Sequence, residues 1–160
     1  MKSAKLMDPR PMDVFIPASD RSASPSAPAS RPEPIVAHEI AAARWQEFCH
    51  WCTEMLRGMV VDIERDTGKG LCVAECLQRP LEQIAARELK NGVTAIDVAV
   101  DIGGKRRVFE VAGPNSLRLH CNAAGWPLAL EIGYEEGKLV LHCSSAAVTA
   151  PIFSGSSWGE

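Results

Sequence analysis

Cys49 and Cys52 frame the run CHWC, and a spacing of three inside a helix turns both sulfurs toward one side. Such a pair supports three chemistries: half of a metal site, a redox dithiol, or two buried thiols. A redox pair belongs at a helix start after a strand, where the positive helix end lowers a thiol pKa. This pair falls late in a helical pattern beside Trp45 and Phe48, with no second C-x-x-C to complete a zinc site, so core thiols are the favoured reading. His120-Cys121 and His142-Cys143 also invite a metal reading. Strand alternation sends the histidine and cysteine of each pair to opposite faces, so the four side chains do not converge on one tetrahedral centre. His120 and His142 are left as a pair that can face each other on a polar surface near Arg118 and Glu131. Cys72 and Cys76 share a face if their strand is straight, too far apart for one ion.

The remaining motifs are weaker. Asp66-Thr67-Gly68 spells the aspartic protease triplet, but that chemistry needs two carboxylates sharing a proton and the chain has no second copy. A polar hairpin turn explains it. Gly68-Lys69-Gly70-Leu71 and Gly103-Gly104-Lys105 lack the strand-to-helix context of a phosphate loop. Lys105, Arg106 and Arg107 form a basic cluster with Arg118 near it, yet alternation points Arg106 away from its two neighbours and no aromatic series accompanies them.

Length and charge narrow the classes. The 160 residues allow one domain of modest core, and 17 Lys plus Arg against 20 Asp plus Glu give a net charge of -3, with no general attraction for nucleic acid or anionic membrane. No apolar run reaches the roughly 18 residues needed to span a bilayer, and Asp8, Pro9, Arg10 and Pro11 interrupt the start before a secretory signal can form. The expectation is a cytoplasmic protein whose cysteines are thiols, with no cofactor.

Three segments are expected to position these residues. Residues 1–34 read as a disordered Pro/Ser/Ala-rich arm in which Phe15, within Val14-Phe15-Ile16, is a candidate anchor for a partner. Residues 35–146 read as a single domain and 147–160 as an irregular tail containing Trp158, a candidate interaction residue. Within the domain, Ile35 to Arg57 reads as one long helix, with Trp45, Phe48, Cys52 and Leu56 at three- and four-residue spacing and Ile40 five residues before Trp45, closed by Gly58. Trp51 falls off that stripe and offers a second contact surface. Alternating runs follow: Met59 to Glu64, Leu71 to Leu77, Ala95 to Ile102, Lys105 to Val111, Ser116 to Cys121, Trp126 to Tyr134, and Lys138 to Cys143. Gly103-Gly104 suits a primed hairpin turn. The class of Arg79 to Gly92, opening on Pro80, is left undecided between a short helix and a bent connection. The fold class expected is α+β: one long N-terminal helix packed on a curved antiparallel meander of six or seven strands, or a half-barrel.

The runs RWQEFCHWCTEMLRGMVVDIE, RPLEQIAAREL, VTAIDVAVDIGGKRRVFEVAGPNSLRL and WPLALEIGYEEGKLVLHC resemble a family of small bacterial proteins known as a domain of unknown function, over about residues 44–143. The resemblance implies a bacterial, cytoplasmic module without assigned catalytic residues. The arm and the cysteine enrichment lie outside that pattern, and LVLHC stands where related proteins close on a more polar strand.

The function expected is a noncatalytic protein-binding or assembly module, self-associating or binding another protein through a sheet edge or the helix face at Trp51, with Arg106 and Arg118 as further contact candidates. The alternative is a small metal-binding or thiol-dependent enzyme using Cys49 and Cys52.

Overall fold

The stripe that reads as one helix from Ile35 to Arg57 divides into a strand, a turn and a helix. In the computed structural model, which describes residues 31–144, Val36–Glu39 form strand β1, Ala42–Arg44 a single 3-10 turn, and Trp45–Leu56 the helix α1. Tertiary pairing overrides helix propensity here: Val36, Ala37, His38 and Glu39 lie opposite Cys121, His120, Leu119 and Arg118. The Ile40 N–H extends this ladder to the Leu117 carbonyl at 2.8 Å, and the Trp45 indole N–H donates to the Ile40 carbonyl at 2.8 Å, fixing the corner into α1. The long helix is therefore corrected to 12 residues. Its C-terminal end is where the sequence puts it, with Gly58 at φ +82°.

The remaining strands are β2 (Val60–Asp66), β3 (Cys72–Glu88), β4 (Thr94–Ile102), β5 (Lys105–Ala112), β6 (Ser116–Cys121), β7 (Pro127–Tyr134) and β8 (Gly137–Cys143). With β1 they make, among the described residues, an open sheet of eight strands, not six or seven, in the order β1-β6-β7-β8-β2-β3-β4-β5. Every pairing is antiparallel. Short turns produce two runs of sequential hairpins, β2 to β5 and β6 to β8, and the β2–β8 pairing joins them. The extra strand is β1, whose four residues the helical stripe conceals.

The undecided segment after Arg79 is neither a helix nor a connection: it is the second half of β3, a 17-residue strand. Its first half pairs with β2 and its second half with β4. The register slips between Val61 and Ile63 and again between Ile63 and Glu64, and on the β4 side between Leu81 and Gln83. Extra residues of this kind bend a strand and sharpen its twist. Gln78 stands in the first irregularity at φ +51°, held by Asp62 Oδ1, which accepts from its backbone N–H at 2.6 Å.

Past Pro80, among the described residues, no strand lies on the side of β3 away from β4, and α1 takes that place. Thr53, 4 % exposed, accepts the Ile84 N–H at 2.8 Å and donates its hydroxyl to the Ile84 carbonyl at 2.7 Å. One side chain thus replaces a missing strand partner for both backbone groups of a buried residue. Around it lies a single core, with Phe48 and Leu56 from α1, Ile84 from β3, Ile96 and Val98 from β4, and Leu130 and Leu141 from the far side of the sheet. The hairpin tips close tightly: a Cβ on Gly137 would lie 1.9 Å from the Asp66 carbonyl oxygen, so glycine is required where β8 begins.

Candidate functional site

Cys49 and Cys52 sit on the covered face of α1, each with no exposed surface. Burial pushes the Cys49 thiol up to about 12. Burial also raises Cys52 well above its ordinary range, with Cys49, Cys143 and Cys121 adding to the effect. Cys121 and Cys143 occupy β6 and β8, with β7 between them as the alternating pattern implies, and both thiols are raised by burial. A neutral buried thiol is a poor nucleophile, so the helix pair has the environment of core packing. Among the described residues no group of three or more His, Cys, Asp or Glu side chains is arranged to hold a metal ion.

The histidines do share a face. His120 and His142 both lie opposite Ala129, one from each side. Each is committed to a different carboxylate: His120 Nε2 is 3.8 Å from Glu131, and His142 Nε2 is 3.2 Å from Glu64. Glu131 also meets Lys138 Nζ at 3.0 Å and Arg118 Nη1 at 3.5 Å, while Arg118 reaches Glu39 at 3.6 Å. Arg118 is accordingly one member of an alternating charge lattice across β1, β6, β7 and β8. Glu131 is itself largely covered, but its partners Arg118 and Lys138 are solvent-accessible, and pairs of this kind are each worth about 0–1 kcal/mol.

Cys72 and Cys76 do not share a face. The register slip at Glu64 places one extra residue between them, so Cys76 is opposite Ile63 in the core while Cys72 is exposed with its Sγ 3.5 Å from Glu64 Oε2. Trp51, the off-stripe aromatic, stacks on Phe48 with centroids 5.7 Å apart and is packed half-buried against the core. Phe15 and Trp158 lie outside the described residues.

The remaining candidate, Arg106, leads to the feature that the residue types alone do not show. It lies on β5, which with β1 is one of the two strands that end the sheet among the described residues. The φ values of Gly103 and Gly104, +62° and +81°, make the primed two-residue turn that the sequence predicts, closing on the pair Ile102–Lys105. At the other end of the hairpin the Gly113 N–H donates to the Thr94 carbonyl at 2.9 Å. The register between these ends makes Lys105, Arg107, Phe109 and Val111 the residues that exchange hydrogen bonds with β4. The backbone groups of Arg106, Val108 and Glu110 consequently point away from β4, and among the described residues no strand pairs with that side.

The side chains follow the same alternation. Phe109 and Val111 are buried, and the Arg107 guanidinium lies over the Phe109 ring at 5.0 Å. On the opposite face Val108 is 46 % exposed between Arg106 and Glu110. Arg106 Nη2 donates to Gln83 Oε1 at 2.5 Å, and Glu110 is paired with Arg87, which also holds Asp97 at 2.6 Å. The result is an eight-residue strand, rigidly supported from behind and open along one edge. The Lys-Arg-Arg run is legible in the sequence. The openness of the edge is not, because it depends on which strand ends the sheet.

No helix among the described residues is long and apolar enough to cross a membrane. Comparison of the chain with protein-family models, with curated proteins and with solved structures finds no match, so its functional reading rests on the geometry of its own residues.

Proposed function

We propose that this chain is a noncatalytic binding module that takes up an extended polypeptide along β5. The observation that carries this reading is the outward set of backbone donors and acceptors at Arg106, Val108 and Glu110, on a terminal strand whose other side is fixed to β4. An unpaired edge offers backbone hydrogen bonds to any strand of matching length, and side chains at alternate positions select among them. Proteins blunt such edges with proline, a bulge, a very short strand or charged side chains, and of these β5 carries only the charges of Lys105, Arg106, Arg107 and Glu110. The β5–β4 register runs without a slip over eight residues, and β5 contains no proline. The inaccessibility of Cys49 and Cys52 favours this role over a thiol enzyme.

The test is selection of binders from a random-sequence peptide library, followed by NMR mapping. Selected peptides are expected to shift the amides of Arg106–Ala112 first. They should lose at least about tenfold in affinity to Val108→Pro, which deletes an outward N–H while leaving the β4 ladder intact. Peptides that map to the charge lattice around Glu131 and bind the proline variant normally would refute the reading.

A further inference from the structure

Resting on that edge-binding reading, we infer that the strand β5 accepts is the β5 of a second copy, paired antiparallel about a two-fold axis at Val108. The residues of β5 are self-complementary in this register. Val108 faces its own counterpart, Arg106 faces Glu110 of the second copy, and Glu110 faces its Arg106. The two charge pairs flank an apolar centre made by side chains that are 46 % exposed in the single chain.

The backbone obeys the same symmetry. Val108 directs both its N–H and its carbonyl outward, which is what a hydrogen-bonded pair on a two-fold axis requires. Arg106 and Glu110 direct theirs outward as well, so the three residues of each copy form roughly six interchain hydrogen bonds. On the inner face Arg107 comes opposite Phe109 of the second copy, beside the cation–π contact that it already makes within its own chain. A shift by two residues in either direction destroys the charge match, placing Arg106 opposite either Val108 or Ala112 and stranding Glu110 opposite a residue of no complementary charge. Isologous pairing of this kind satisfies both edges at once and closes at two copies.

Arg106 and Glu110 keep their intrachain partners in this arrangement. Gln83 and Arg87 belong to β3, behind β4 as seen from the open edge, so they hold the two side chains without occupying the edge itself. A single-strand interface lies at the small end of specific interfaces, and a dissociation constant of roughly micromolar is expected.

The experiment is sedimentation equilibrium of the full chain, reduced, from about 1 to 100 μM, with four samples compared: the unsubstituted chain, Val108→Pro, Arg106→Glu and Glu110→Arg. The unsubstituted chain should dimerise, and each variant should weaken the dimer at least about tenfold. An equimolar mixture of Arg106→Glu and Glu110→Arg should regain association to within about threefold of the unsubstituted chain, because both cross-strand pairs then join opposite charges. An unsubstituted chain that stays monomeric at 100 μM while library-selected peptides still bind at β5 would overturn self-pairing and leave edge binding standing. A dimer indifferent to Val108→Pro would likewise overturn self-pairing at β5, whereas edge binding itself falls only if selected peptides bind the proline variant normally. A dimer broken by proline but not restored in the mixture would overturn the register.

Discussion

Replacing Thr53 with valine should destabilise the protein by about 2–4 kcal/mol, although the two side chains have nearly the same shape. Valine keeps the β-branch and the volume, so neither a cavity nor a large change in helix propensity follows. What disappears is the hydroxyl that serves both the N–H and the carbonyl of Ile84. Ile84 is 1 % exposed, so water does not replace that partner without opening the contact between α1 and β3. Each orphaned buried group costs about 1–3 kcal/mol, and the lower half of that range applied to both groups gives the stated loss. Thr53→Ser retains the hydroxyl and gives up one buried methyl, a loss of about 1 kcal/mol. Urea unfolding of the three proteins checks the order. Equal losses for valine and serine would mean that the hydroxyl does not substitute for a strand.

The second large effect is alkaline. Cys49 is pushed up to about 12 from an ordinary value of 9.0, and Cys52 is raised well above the same value. Above about pH 9 the unfolded chain loses these protons while the folded chain keeps them, so the unfolded state gains free energy from ionisation. The stability contributed by the neutral thiols is whole below pH 9 and drains as the pH rises toward 12. At about 1.4 kcal/mol per pH unit for each thiol, the pair should cost roughly 5 kcal/mol by about pH 11. Burial pushes the Cys143 thiol up to about 12 as well, so denaturant midpoints measured from about pH 7.5 to 10.5 should fall with a slope approaching at least three protons at the upper end, two of them from the helix pair. The chain has a single tyrosine, which leaves little aromatic titration to confuse the slope. The double variant Cys49→Val with Cys52→Ala should be less stable at neutral pH yet show a distinctly shallower alkaline decline. An unchanged slope would mean that the helix thiols ionise freely in the folded protein.

Both effects concern residues that the sequence exposes unequally. The cysteine pair announces itself by spacing, and its burial follows from the stripe it shares with Phe48 and Leu56. Thr53 carries no such signal, since its role depends on the second half of β3 having no strand beyond it. The hairpin of β4 and β5 is legible because strict alternation and two adjacent glycines specify period, turn and register together. Residues 35–44 mislead because they contain no proline or glycine to interrupt a helix, although the five-residue step from Ile40 to Trp45 departs from helical spacing; both residues are buried, one reaching the core from a strand end and the other from a helix start. The bulges in β3 are illegible for a related reason. Gln78 and Glu82 are ordinary strand residues by type, and only the competing registers of β2 and β4 force them out of line. Cys72 and Cys76 part company through a further slip, the one between Ile63 and Glu64.

The candidate site divides along the same boundary. Composition marks Arg106 as part of a basic run, and alternation separates its side chain from Lys105 and Arg107. Its significance as a member of an open edge arises only when β5 proves to be the last strand. His120 and His142 show the converse, because the pattern places them on one face correctly and the register then ties each to its own carboxylate.

The most direct measurement of the edge is amide hydrogen exchange at single-residue resolution along β5, on the dissociated and associated protein. Edge binding predicts that Arg106, Val108 and Glu110 exchange rapidly in dilute solution and become protected on association. Arg107, Phe109 and Val111 should stay protected throughout by their bonds to β4. Protection of all six amides in the dilute protein, or association that leaves the first three exchanging freely, would contradict the assignment of β5 as the binding strand.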